Sequence, residues 1–281
     1  MIESTTKSYP SVSQSFGITG ILILGVVLFS PVDLLLNKFI GKEASVLIYY
    51  LLSIGVPFWI VHLIRKRKTN CHTFNLTIKN KRIIPFIVIG TIALLMGIVG
   101  PITSLIPTPE SLKKILMGLV SQTGIFTFIL MVIAAPVFEE LIFRGIILDG
   151  LLKRYSPTKS ILVSSLLFGL VHLNPWQFVT GFIIGFFSGW VYYRTRSLSF
   201  SIIIHAAANL SGFLMRFFID VDSYMNASMV DMYGGLINLI FVILGSVLIM
   251  AACVYFLHKE FERLNPNSEI EKREKNQQIC I

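Results

Sequence analysis

Apolar runs of bilayer length recur along almost the whole of this chain, and nothing else constrains its fold as strongly. A helix needs about 20 apolar residues to cross a ~30 Å hydrocarbon core. Inside lipid the backbone must satisfy its own hydrogen bonds. The runs fall at about 16–36, 44–64, 83–106, 119–152, 160–173, 176–193, 198–218 and 233–257. The fourth exceeds one crossing, so it is expected to tilt or to extend into the cytosol. The fifth is too short to cross fully and ends at Asn174-Pro175, a pair that stops a helix. The predicted fold is all-α: a polytopic membrane protein of about eight transmembrane helices. Only 14% of the residues are charged, against about 25% in soluble domains. The chain divides into three regions: an N-terminal three-span part over 1–118, a core over 119–218, and a last span with a charged tail over 219–281.

The net charge of +9 is carried by loops beside the spans. Arg65, Lys66, Arg67, Lys68, Lys79, Lys81 and Arg82 lie between spans two and three; Lys153, Arg154 and Lys159 follow span four. Arg194 and Arg196 follow span six, and Lys259, Arg263, Lys272, Arg273 and Lys275 follow span eight. All fall on one side if both termini are cytoplasmic, the orientation that basic loops set in a cell membrane. The other side receives Asp220, Asp222 and Asp231, with Lys38, Lys42, Lys113 and Lys114 as exceptions. This pattern reads as orientation and contact with membrane lipids, and no nucleic-acid partner is expected. Residues 1–15 are polar and precede a run long enough to span, so no cleaved signal peptide is expected. Cys71, Cys253 and Cys280 are scattered and suggest neither a metal spacing nor a disulfide framework. No internal repeat is visible.

Against this background, Glu139, Glu140 and Arg144 stand inside the fourth apolar run. An ionised side chain at the bilayer centre costs at least ~3 kcal/mol on insertion scales. Two later runs carry His172 and the pair His205/Asn209. At ~1.5 Å per residue, Glu139 lies roughly 21 Å from Lys153, His172 roughly 20 Å from Lys159, and His205 roughly 13 Å from Arg196. Three helices thus put polar groups at similar depth from the same side. Glu140 and Arg144 are spaced i, i+4 with the acid first, the favourable order for a helical ion pair. That pairing neutralises Glu140 and leaves Glu139 facing elsewhere. His205 and Asn209 share a face at the same spacing, as do Phe168 and His172. Small residues such as Gly169, Gly181, Gly185 and Gly189 allow close helix approach.

These motifs, Glu139-Glu140-x-x-x-Arg144, Phe168-x-x-x-His172 and His205-x-x-x-Asn209, resemble those of the CPBP family. That family comprises the type II CAAX-prenyl endopeptidases and the related bacteriocin-processing and bacteriocin-immunity (Abi) proteins. The motifs cover about a third of the chain, so substrate choice is not carried over. The resemblance implies a membrane-embedded endopeptidase whose catalytic residues match Glu139, Glu140, Arg144, His172, His205 and Asn209. Its polar cavity would open to the cytoplasmic side.

The chemistry suits the residues. Peptide hydrolysis needs an activated water and a stabilised oxyanion. Glu139 is the natural base, His172 could hold the water, and His205 with Asn209 could donate to the oxyanion. A glutamate with two histidines is also a catalytic zinc set; Glu139, His172 and His205 would then be the ligands. A metal-free route uses the same residues, the family is described both ways, and both routes stay open. The expected substrate is a membrane-anchored peptide or protein: a leader, a signalling-peptide precursor or a membrane-protein tail. Two other classes are a non-enzymatic immunity or scaffold protein and, more weakly, an ion-coupled transporter. His62, His72 and His258 read as structural, Asn174 as a turn residue, and Asp149 as a partner of Lys153. Trp59, Trp176, Trp190, Tyr192 and Tyr193 fit interfacial belts.

Overall fold

The computed structural model describes residues 8–110, 113, 117–118, 121–218 and 227–264. Lys114, Asp220, Asp222, Cys280 and the charged tail beyond 264 lie outside the described residues. Among those described, the chain is helical with no strand. The long helices are α1 (Val12–Ile40), α2 (Lys42–Thr69), α3 (Lys81–Ser104), α4 (Ile125–Leu152), α5 (Pro157–Leu170), α6 (Pro175–Thr195), α7 (Leu198–Met215) and α8 (Leu236–Leu264). Each of the eight apolar runs holds one of them. Six are long and apolar enough to cross a membrane; α5 and α6 fall outside that six. The protein is therefore multi-pass. At ~1.5 Å per residue α5 is roughly 21 Å long, short of a full crossing. It turns back at residues 171–174 into α6, which Asn174 caps by accepting Gln177 N–H at 2.9 Å. The two pack closely, because a side chain at Gly169 would meet the Phe178 carbonyl at 2.7 Å.

Two apolar clusters form the interior. One joins α1, α2, α4 and α5 through Ile18, Leu22, Ile54, Val61, Ile146 and Leu167. The other joins α3, α6, α7 and α8 through Ile87, Leu94, Phe187, Ile204, Leu257 and Phe261. Outward faces stay apolar, as at Leu28, Phe39 and Leu248, which suits lipid rather than water. Helix α4, part of the first cluster, also packs against α6 and α7 of the second.

Helix α4 is not a regular helix. It widens into π turns at Ile129–Ala134 and Phe143–Leu148, on either side of the acidic pair. At the first of these, Pro136 leaves a carbonyl without its helical donor. Ala135 N–H closes the wide turn onto the Leu130 carbonyl. Pro136 has no N–H to offer to the next carbonyl, Met131. Asn209 Nδ2 on α7 donates to that carbonyl instead, at 2.8 Å. A lone unpaired carbonyl at this depth costs ~1–3 kcal/mol. Asn209→Ala is therefore expected to lower the melting temperature measurably; unchanged melting would remove Asn209 from this role.

One expectation for the aromatic residues changes here. Tyr192 does not sit in an interfacial belt: it is 6% exposed, and its hydroxyl donates to Asp149 Oδ1 at 3.4 Å. The acid drew it inward, because a buried phenol needs a partner. Trp59 stays exposed, and Asp149 pairs with Lys153 at 2.9 Å. His62 packs between Phe58 and Phe74, at 5.8 and 5.4 Å between ring centroids.

Candidate active site

Where they pack, α4, α6 and α7 bring their polar side chains together. Glu140 is fully buried and spends both oxygens. Its Oε1 accepts Arg144 Nη1 at 2.9 Å and lies 3.1 Å from His205 Nδ1. Its Oε2 accepts the Ser188 hydroxyl at 3.3 Å. Arg144, also fully buried, donates through Nη2 to the Gly185 carbonyl at 3.0 Å. Its guanidinium lies 4.6 Å over the Phe168 ring. This group ties α4, α5, α6 and α7 at one point. Opposite charges that share several hydrogen bonds tolerate burial; an unpaired one does not.

Glu139 faces a different way. Its Oε1 accepts the Tyr50 hydroxyl at 2.9 Å. Its Oε2 is buried with no hydrogen-bond partner and lies 3.8 Å from His205 Nε2. With Nδ1 turned to Glu140, His205 directs Nε2 at the free oxygen of Glu139. One imidazole thus bridges the structural acid and the unpaired one.

His172 follows α5 and reaches the cluster through an aromatic wall. The Phe168 ring stands edge-on to both imidazoles, 5.5 Å from His172 and 5.4 Å from His205. Asn209 does not hydrogen-bond to Glu139 or His205; its amide holds the Met131 carbonyl. Among the described residues no three His, Cys, Asp or Glu side chains form a group that could hold a metal. The Phe168 ring stands against both imidazoles, and His205 turns Nδ1 to Glu140. Glu139 Oε2 and His205 Nε2 face each other as a pair. A catalytic zinc needs three converging protein ligands, and Glu139, His172 and His205 are the residues that would supply them.

Tyr50 is the contact that sequence reasoning missed. It lies on α2, in the part of the chain outside the three motifs. The available signal was general: a tyrosine within an apolar span must find a partner for its hydroxyl. Ser188 and the Gly185 carbonyl were missed as well. Tyr50 fixes the Glu139 carboxylate so that Oε2 stays turned toward His205. A hydrogen bond to a charged group contributes ~1.5–3 kcal/mol. Tyr50→Phe is therefore expected to lower kcat by about tenfold or more, with KM little changed and the melting temperature measurably lowered. An unchanged kcat would exclude a positioning role.

The comparisons bear on the same stretch. Residues 121–211 match the family described as Type II CAAX prenyl endopeptidase Rce1-like. All six residues expected for the site fall within that match. Among curated proteins, the UPF0177 protein YxdF of Lactococcus lactis subsp. lactis (strain IL1403) is 35% identical over 81 residues. That alignment covers 28% of this chain and 44% of the relative, so the similarity spans less than half of either. No solved structure matches. The resemblance read from the three motifs has the same location: residues 121–211 are similar to the Type II CAAX prenyl endopeptidase Rce1-like family.

Proposed function

We propose that this protein hydrolyses a peptide bond in a membrane-associated substrate, with Glu139 activating the attacking water. The observation that carries this reading is the Oε2 oxygen of Glu139, buried and unpartnered beside His205 Nε2. Buried polar atoms are nearly always satisfied, and exceptions call for an explanation. A reacting water supplies one. Glu140 cannot serve as the base, because Arg144, Ser188 and His205 already occupy its oxygens.

In this mechanism Glu139 Oε2 takes a proton from water as the oxygen attacks the scissile carbonyl. The carbonyl becomes a tetrahedral oxyanion. His205, held by Glu140, and His172, across the Phe168 ring, stabilise that charge. Glu139 then passes its proton to the departing nitrogen, the C–N bond breaks, and a carboxylate and an amine leave. Tyr50 keeps Glu139 aimed throughout. Asn209 acts one step away by pinning α7 to α4. Phe168 and the surrounding apolar side chains keep the site dry, which strengthens each of these interactions.

The substrate class is a membrane-anchored peptide or the tail of a membrane protein. A bonded transmembrane helix hides its peptide groups, so an unwound segment entering from the polar face is the chemically accessible form. The ends of α2, α4 and α6, with the start of α5, carry Arg65, Lys66, Lys153, Lys159 and Arg194 on one face. That face is the cytoplasmic one in this reading, with both termini in the cytosol.

The test is cleavage of a panel of membrane-anchored peptides by the purified protein in lipid, with and without a chelator. Product that survives chelation supports the glutamate route. Product lost on chelation overturns the metal-free route. No product from any peptide, with the protein folded, overturns the endopeptidase reading in favour of an immunity or scaffold role.

A further inference from the structure

The basic face of the bundle holds a cavity that peptide hydrolysis does not use. Its volume is about 460 Å³, within the ~300–1,000 Å³ range of small-molecule sites. It lies where α2, α4 and α6 end, and the segment from Cys71 to Lys79 forms one wall. None of Glu139, His172 and His205 lines it.

Four cations line this cavity, Arg65, Lys79, Lys153 and Arg196, against the single carboxylate of Asp149. That carboxylate is already engaged, with Lys153 at 2.9 Å and the Tyr192 hydroxyl at 3.4 Å. Arg65 is only 6% exposed. Both its terminal nitrogens donate to the Thr73 carbonyl at 3.3 Å, and its guanidinium lies 4.6 Å from the centre of the Phe74 ring. Among the described residues Arg65 forms no ion pair. A buried guanidinium without a counter-ion is costly. Several cations around one low-dielectric hollow also add their potentials.

The walls are held in place before any ligand arrives. Leu198 N–H donates to the Asn75 carbonyl at 2.8 Å, and Asn75 Nδ2 donates to the Arg196 carbonyl at 2.8 Å. Ser199 Oγ donates to the Leu76 carbonyl at 2.7 Å. Gly145 lets α4 approach the Phe74 ring, which a side chain there would meet at 2.7 Å. The result is a preformed pocket with an apolar floor and cations around it.

We propose that this cavity binds a phosphate-bearing anion, with Arg65 and Arg196 facing the phosphate and Lys79 and Lys153 around them. Guanidinium groups suit phosphate oxygens because they donate two parallel hydrogen bonds. The headgroup of an anionic phospholipid and a soluble phosphate ester share this chemistry. The position at the helix ends, at headgroup level, favours the lipid. Phe74 and Leu198 then offer an apolar surface to its glycerol end. This inference does not depend on the endopeptidase reading.

The test uses the full-length chain in detergent after exposure to equal amounts of phosphatidylglycerol and phosphatidylcholine. Native mass spectrometry then counts the lipid retained. Parallel melts with glycerol 3-phosphate follow the soluble source. Wild type is expected to retain phosphatidylglycerol in preference to phosphatidylcholine. Lys79→Gln with Arg196→Gln removes two cations whose side chains hold no other element among the described residues, and retention should fall about thirtyfold, about fivefold per charge. Lys159→Gln, on the same face but outside the cavity, should change nothing. Stabilisation of wild type by glycerol 3-phosphate, lost in the double variant, supports the anion site and assigns it to a soluble ester. Equal retention of both lipids with no shift from the ester overturns the proposal. So does a double variant that behaves as wild type, or a Lys159→Gln variant that loses lipid equally.

Discussion

Arg144→Met is expected to lower the melting temperature by about 10 °C, or to prevent folded protein from accumulating. Arg144 and Glu140 are both fully buried. Removing one partner of such a pair strands the other charge, at ~3–5 kcal/mol. The Gly185 carbonyl would also lose its donor, and the Phe168 ring its cation. At ~2–4 °C per kcal/mol for a chain of this order, the loss is large enough to measure readily. A paired change, Glu140→Leu with Arg144→Met, removes both charges. It should recover most of the lost stability, because apolar replacement of a whole buried pair is often neutral. Wild-type melting of the single variant would show that the pair does not hold the bundle together.

Much of the fold could be read directly from the chain. Hydropathy located all eight long helices, because lipid leaves the backbone few alternatives to a helix. The Glu140–Arg144 pair followed from i, i+4 spacing alone, and the bond between them is 2.9 Å. Contacts between distant segments were harder. Tyr50 meets Glu139 across 89 positions of sequence, and no local pattern encodes that encounter. The Asn209 contact depended on a π turn before Pro136, which shifts the unpaired carbonyl to Met131. Regular helical spacing does not announce such a turn. Phe168 was expected only to pack beside His172; its ring stands edge-on to both imidazoles. The cavity at the basic face was foreshadowed only as general contact with anionic lipid. Its shape depends on how the 71–79 segment is tied to Arg196, Leu198 and Ser199.

Glu139→Gln is expected to lower the rate of peptide cleavage by about 10²–10⁴-fold, the usual contribution of a positioned general base. The protein should nevertheless stay folded. Glu139 Oε1 accepts the Tyr50 hydroxyl, and the amide oxygen of glutamine can accept the same bond. The amide nitrogen then faces His205 Nε2, where the carboxylate had an unpaired oxygen. Folding thus loses little, whereas the reaction loses the carboxylate oxygen placed to take a proton from water. Glu140→Gln should behave differently: it weakens the hold on Arg144 and His205, so stability and rate should fall together. The contrast between the two neighbours separates catalysis from architecture within one turn of helix. Cleavage by Glu139→Gln at the wild-type rate would sink the assignment of the base. A protein that protects its host equally well with glutamine at this position would be acting through binding, and the buried acid would need another explanation.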